Sequence, residues 1–117
     1  MNQYHRNCPF CRIAAGEAPA RIVHRDDDVI AFHDTNPQAP VHLLLIPRKH
    51  ISGVDALTQE DGEIVAKIFL TARKIVKEQN LEPGFRIVTN TGRGAGQSVF
   101  HLHFHLLAGR PFGWPPG

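Results

Sequence analysis

Near the C-terminal end, Phe100-His101-Leu102-His103-Phe104-His105-Leu106-Leu107 places three imidazoles at alternate positions, with apolar side chains between them. Successive side chains of a strand point to opposite faces. A strand over this run therefore lines one face with histidines and buries the other, whereas a helix would scatter the rings around its circumference. A strand is expected. Three readings fit such a row: the solvated face of an edge strand, three ligands of a catalytic zinc, or nucleophilic and acid–base chemistry in which one imidazole attacks and its neighbours bind charge. The first gives no reason for imidazole at three consecutive outward positions. The spacing does not separate the other two.

Gly92-Arg93-Gly94-Ala95-Gly96-Gln97-Ser98 leads straight into the histidine run. Glycines let backbone approach an anion and form a nest of N–H donors. The segment is not a Walker loop, because no G-K-[ST] follows. By itself it reads equally as a flexible hairpin connection. Beside three histidines it reads as a phosphate cradle, with Ser98 adding a hydroxyl. Cys8 and Cys11 form a C-x-x-C pair at the other end of the chain. A structural zinc wants four ligands, and His50 and His101 are the candidates for the remaining two. A redox pair competes, but the βαβ start that usually carries one is missing. His42 opens an apolar run and is either a core histidine or part of the site. His24 and His33 are expected on the surface of a hairpin, and His5 in a loose terminus.

The elements that must hold these residues follow from pattern. Residues 8–16 read as a short helical turn closed by Gly16. Arg21 to Arg25 and Val29 to His33 form a hairpin about Asp26-Asp27-Asp28, and residues 34–40, with two prolines, form a loop. His42 to Ile46 is nearly continuous apolar sequence, suited to a central strand covered on both faces, and Pro47 ends it. Thr58 and Asp61 make a capping-box-like start to a helix whose stripe is Ile64, Val65, Ile68, Phe69, Ala72, Ile75 and Val76. Gly62 is its weak point, and Pro83-Gly84 lies beyond its end. Phe85 to Asn90 alternates as a strand. Five strands joined mainly by short turns, with one long and one short helix, predict an α+β fold with an antiparallel sheet.

The 117 residues are expected to form one domain spanning 1–117. A formal charge of +2, with Arg48-Lys49-His50 the only tight basic cluster, gives no case for nucleic-acid binding. No apolar run approaches the ~20 residues of a membrane span, and the N-terminal residues lack a signal-peptide pattern. A cytoplasmic protein is expected.

Pro40-Val41-His42, Ile46-Pro47-Arg48-Lys49-His50, Gly96-Gln97-Ser98-Val99 and His101 to Leu107 together resemble the signature of the histidine-triad (HIT) superfamily. The resemblance runs from Cys8 to the last residue. The ending Gly109-Arg110 and Trp114-Pro115-Pro116-Gly117 is most similar to the histidine-triad nucleotide-binding (HINT) branch, and the cysteine pair to its zinc-carrying prokaryotic members.

The resemblance implies a homodimer whose two five-stranded sheets join into one of ten strands. It implies hydrolysis of purine nucleoside phosphoramidates, with dinucleoside polyphosphate hydrolysis or nucleotide sensing by a dimer with negligible catalysis as alternatives. By position, His103 would attack the α-phosphorus to give a nucleotidyl-histidine, with His105 and His42 orienting and contacting phosphate. Asp34 and Thr35 would bind the nucleotide, Asp34 through the ribose hydroxyls. Asn90, Gly96, Gln97 and Ser98 would contact phosphate or the leaving group, and Ser98 is a further candidate for proton relay. Cys8, Cys11, His50 and His101 match the zinc ligands of that family. The zinc is expected to be structural, with no metal needed for the chemistry.

Overall fold

A computed structural model describes residues 4–117. In chain order the elements are α1 (Pro9–Ala14), β1 (Ile22–Arg25), β2 (Val29–His33), β3 (Val41–Pro47), α2 (Gly62–Gln79), β4 (Phe85–Val88) and β5 (Phe104–Ala108). The strands form one antiparallel sheet in the order β1-β2-β3-β5-β4. This is the α+β arrangement that the sequence predicts.

Side-chain alternation divides the sheet into two apolar faces. Val29 and Ala31 of β2, Leu43 and Leu45 of β3, and Phe104 and Leu106 of β5 pack with Ile68, Ala72 and Ile75 of α2. Ile30, Phe32, Leu44 and Ile46 point the other way, against Cys8, Phe10, Cys11 and Ala14 of the α1 segment. The continuous apolar run of β3 is thereby explained, since both its faces are covered. The six-residue α1 covers much less of its face than the 18-residue α2 covers of the other. A cavity lined in part by Phe10 and Ile13 occupies part of the α1 face.

The start of α2 is built as the capping residues predict. The Asp61 carboxylate accepts from the Thr58 backbone N–H at 3.0 Å and its hydroxyl at 3.2 Å, and from Lys49 Nζ at 2.6 Å. Residues Gln59–Asp61 form a 3-10 turn, and Gly62 is the first α-helical residue. Its propensity cost falls at the helix end instead of the interior. Asn80, in the left-handed region at φ 53°, closes the helix.

Three sequence expectations need correction. The histidine strand begins at Phe104, not Phe100, so His101 and His103 lie in the segment that leads into it. The β3–β5 ladder stops at the Leu45–Phe104 pair. Two residues further along β3, Pro47 has no N–H to donate, and its carbonyl is taken by the His101 ring at 2.8 Å. Alternation persists without the ladder: Leu102 N–H donates to Ile51 O at 2.6 Å and the Leu102 side chain enters the α2-side core. Phe100, expected on the buried side, is 41% exposed beyond the start of that pattern. Phe69, placed on the apolar stripe of α2, is 45% exposed, although its ring packs edge-on against Phe104 at 5.3 Å.

At the end of β5 the chain turns against the 34–40 loop. Gly109 has φ +93°, and a Cβ added there would lie 2.8 Å from Pro40 Cβ. Both the backbone region and the contact demand glycine. Gly109→Ala is expected to lower the unfolding free energy by about 2 kcal/mol, measured by chemical denaturation. A loss well below that would show that the loop gives way freely.

Candidate active site and metal centre

Cys8 caps α1, Pro9 occupies its first position, and Cys11 follows within the first turn. This short helix holds both sulfurs against the sheet. Cys8 Sγ lies 3.3 Å from His101 Nδ1. Cys11 Sγ lies 3.6 Å from that atom and 3.3 Å from His50 Nδ1. All four donor atoms fall within 4.8 Å of one another. Ligands ~2.0–2.3 Å from a tetrahedral centre stand about 3.3–3.8 Å apart, so these three separations suit a metal ion among two sulfurs and two nitrogens.

The His101 tautomer fits as well. A carbonyl can only accept, so the bond to Pro47 O puts the proton on Nε2 and leaves the Nδ1 lone pair facing the sulfurs. Burial pushes His101 down to about 4 and the Cys11 thiol up to about 11, the latter raised further by Cys8. Ionising two thiols so close in a buried setting would take a cation between them. His5, expected in a loose terminus, stacks on His50 with ring centroids 3.7 Å apart.

The triplet does not converge on one metal. His103 turns the other way, and its Nδ1–H donates to the His101 carbonyl at 2.7 Å. That bond leaves Nε2 as the unprotonated nitrogen. The Phe10 ring stands edge-on to His103 at 5.1 Å.

His105 is fixed by a different chain of bonds. The Gln38 backbone N–H donates to His42 Nδ1 at 3.0 Å, so His42 carries its proton on Nε2. That N–H faces His105 Nδ1 at 2.8 Å and Asp34 Oδ2 at 3.3 Å. His105, accepting at Nδ1, must hold its own proton on Nε2. Burial lowers the His42 pKa, opposed by Asp34. Burial first, then His103 and His42, bring His105 to about 4. Burial thus favours the uncharged form of both relay rings. Asp34, His42 and His105 also lie close enough to be considered as metal ligands. The bonding argues against it: metal at His42 Nε2 would move the proton to Nδ1, against the Gln38 N–H.

His103 and His105 open onto a cavity of about 810 Å³. Asp34, Thr35 and Ser98 line it, as do Phe10 and Ile13 of α1. His33, expected at the surface, is half-buried and lines it too; burial, then Arg21, lowers its pKa. His42 sits behind His105, outside the lining.

The glycine loop, expected as a phosphate cradle, turns several of its N–H groups inward. The N–H groups of Ala95, Gly96 and Gln97 bond back to Gly92 O, Arg93 O and Gly92 O. The Gln97 side chain is buried, accepting from Gly92 N–H at 2.8 Å and donating to Ser52 O at 2.7 Å and Val99 O at 3.1 Å. Asn90, Gly96 and Gln97 are absent from the cavity wall, and Ser98 is what this segment brings to it. The α1 contribution, Phe10 and Ile13, escaped the sequence reading. Its one available signal was an apolar pair interleaved with the cysteines.

Comparison with known proteins agrees with this geometry. Residues 7–111 match the family model described as scavenger mRNA decapping enzyme C-term binding. An uncharacterized HIT-like protein of Synechocystis sp. is 48% identical over 108 residues, covering 92% of this chain and 95% of that protein. A HIT family hydrolase from Legionella pneumophila superposes with a TM-score of 0.93 at 48% identity, over 95% of this chain and all of that one. A histidine triad nucleotide-binding protein from Candida albicans does so with a TM-score of 0.79 at 30% identity, over 93% and 83%. With the histidine row and its two flanking sites in place, the chain belongs to the histidine-triad (HIT) family.

Proposed function

We propose that this protein hydrolyses purine nucleoside phosphoramidates through a covalent nucleotidyl-histidine on His103. The observation that carries this reading is the bond from His103 Nδ1–H to the His101 carbonyl. It directs the free lone pair of a cavity-lining imidazole to Nε2, as a nucleophile requires. The cavity volume lies within the ~300–1,000 Å³ usual for small-molecule sites. The Legionella relative is described as a hydrolase and the Candida relative as nucleotide-binding.

In this scheme the purine lies among Phe10, Ile13 and Phe32, and Asp34 and Thr35 meet the ribose. His103 Nε2 attacks the α-phosphorus and the P–N bond breaks. The departing nitrogen takes a proton relayed from water through Ser98. His105 Nε2–H donates to a non-bridging phosphoryl oxygen, held in that tautomer by His42. A second water then attacks phosphorus, expels His103 Nε2 and releases its proton to solvent. Gly96 and Gln97 enter through the loop that ends in Ser98, and Asn90 precedes that loop.

The four-ligand group is assigned to a structural zinc that would fasten α1, and with it one wall of the cavity, to the sheet. The assembly is read as a homodimer joined edge to edge into a ten-stranded sheet. β4 is an edge strand with Phe85 44% exposed, and such edges call for cover. The free thiols suit the reducing cytoplasm.

Incubation with an adenosine phosphoramidate and a quench in base should trap an adenylyl group on His103. His103→Ala or His103→Asn should lower kcat by at least ~10³-fold. Turnover that survives either change would refute the nucleophile. Faster hydrolysis of a diadenosine polyphosphate than of the phosphoramidate would reassign the substrate.

Cys8→Ser is expected to lower bound zinc, measured by elemental analysis, and to lower the melting temperature. Activity at low temperature should stay within about threefold of the parent, because metal and nucleophile use different atoms. Loss of all turnover on chelation, with the fold intact, would instead make the metal catalytic.

The depressed His105 pKa gives a signed prediction. Its unfolded pKa is ~6.5 and its folded value about 4. Between these the unfolded chain binds the extra proton. The stability contribution is therefore whole above the upper value and lost as pH falls through that window. A ring-proton titration of His105 by NMR should show its midpoint near 4, and an ordinary midpoint would overturn the neutral relay.

A further inference from the structure

The C-terminal segment is bonded, from outside the cavity, to the loop residue that holds His42. After the Gly109 turn, Arg110 reaches back so that Nε–H donates to the Gln38 carbonyl at 2.9 Å and Nη1 to the Pro111 carbonyl at 3.0 Å. Its guanidinium lies 4.3 Å from the centre of the Phe112 ring. Arg86 of β4 takes the same ring at 5.1 Å and donates from Nη2 to Gly113 O at 2.7 Å. Arg110 is therefore a fixed group, not a free surface cation.

Gln38 is held on both sides. Its carbonyl takes the Arg110 bond, and its N–H is the donor that holds His42 Nδ1 bare. Its side-chain Nε2 bonds only locally, to Asn36 O at 3.1 Å. The N-terminal end of the loop is anchored separately, by Asp34 N–H to His42 O at 3.0 Å. Apart from the His42 ring itself, Arg110 is the side chain from outside the loop that bonds its far half.

We propose that Arg110 is a positioning residue that sets the tautomers of His42 and His105 through the Gln38 backbone. Without it, Gln38 N–H loses its alignment and His42 becomes free to carry its proton on Nδ1. His42 Nε2 is then an acceptor, so His105 must donate to it from Nδ1. The proton leaves His105 Nε2, the nitrogen assigned above to the phosphoryl oxygen. Asp34 Oδ2, 3.3 Å from His42 Nε2, also favours the parental arrangement, so one exposed hydrogen bond shifts the balance between two proton arrangements of a partly buried pair. The tautomer half of this inference stands on geometry alone, and the kinetic half rests on the proposed function.

Long-range ¹H–¹⁵N spectra of the full, zinc-loaded chain read the ring nitrogens directly. The parent protein should show His42 and His105 each protonated at Nε2. Arg110→Ala should give mixed or Nδ1-protonated patterns at both rings, with His103 unchanged. On an adenosine phosphoramidate, kcat should fall about tenfold, the scale of one lost hydrogen bond, with KM within about twofold. Arg110→Lys, which keeps the cation and one donor, should fall between the two in both readouts and covers the case in which the alanine variant does not fold. Folded variants whose two rings keep the parental pattern would overturn the proposal, whatever their activity. If the parent itself fails to turn over phosphoramidate, the substrate reading falls and the spectra alone decide the role of Arg110.

Discussion

The imidazole of His101 is the junction on which the site depends. Its Nε2–H is bonded to the Pro47 carbonyl and its Nδ1 faces two thiols, while its backbone carbonyl receives the proton of His103. One residue thereby ties the central strand, the N-terminal helix and the proposed nucleophile together. Each tie uses a different atom, so none competes with another. A ring rotation that broke the Pro47 bond would also take Nδ1 away from the sulfurs. The buried, neutral state of this ring is consistent with both roles.

Much of the framework was legible because side-chain parity needs only local information. The two-faced β3, the capped start of α2 and the alternation around His103 follow from residue types a few positions apart. The Cys8, Cys11, His50 and His101 group was approachable because its residue types are rare and chemically specific, although its members lie up to 93 residues apart. What stayed hidden was carried by main-chain groups. The Pro47 and His101 carbonyls and the Gln38 N–H set the tautomers; every residue type has the carbonyl and every type but proline the N–H.

The glycine loop shows the opposite difficulty. Its composition fits an anion nest, yet Gln97 turns its amide inward and the turn uses its own N–H groups. A buried amide with three partners is a structural brace. Composition alone cannot tell a nest that faces a ligand from one that closes on itself. The start of the histidine strand was misplaced for a related reason: whether a ladder continues depends on its partner, and here the partner reaches a proline.

The uncharged relay has a consequence for what the cavity retains. Among the described residues lining it, Arg21 is the only permanent cation, and Asp34 offers a negative charge nearby. Such a pocket holds a phosphoryl group by dipoles more than by ion pairing, so it gains little when the bound group acquires a second negative charge. Replacing a P–N bond by a P–O⁻ adds charge to the nucleotide. In the proposed reaction the product would then be the more weakly favoured occupant, and a neutral lining would serve clearance of the site as much as the chemistry within it.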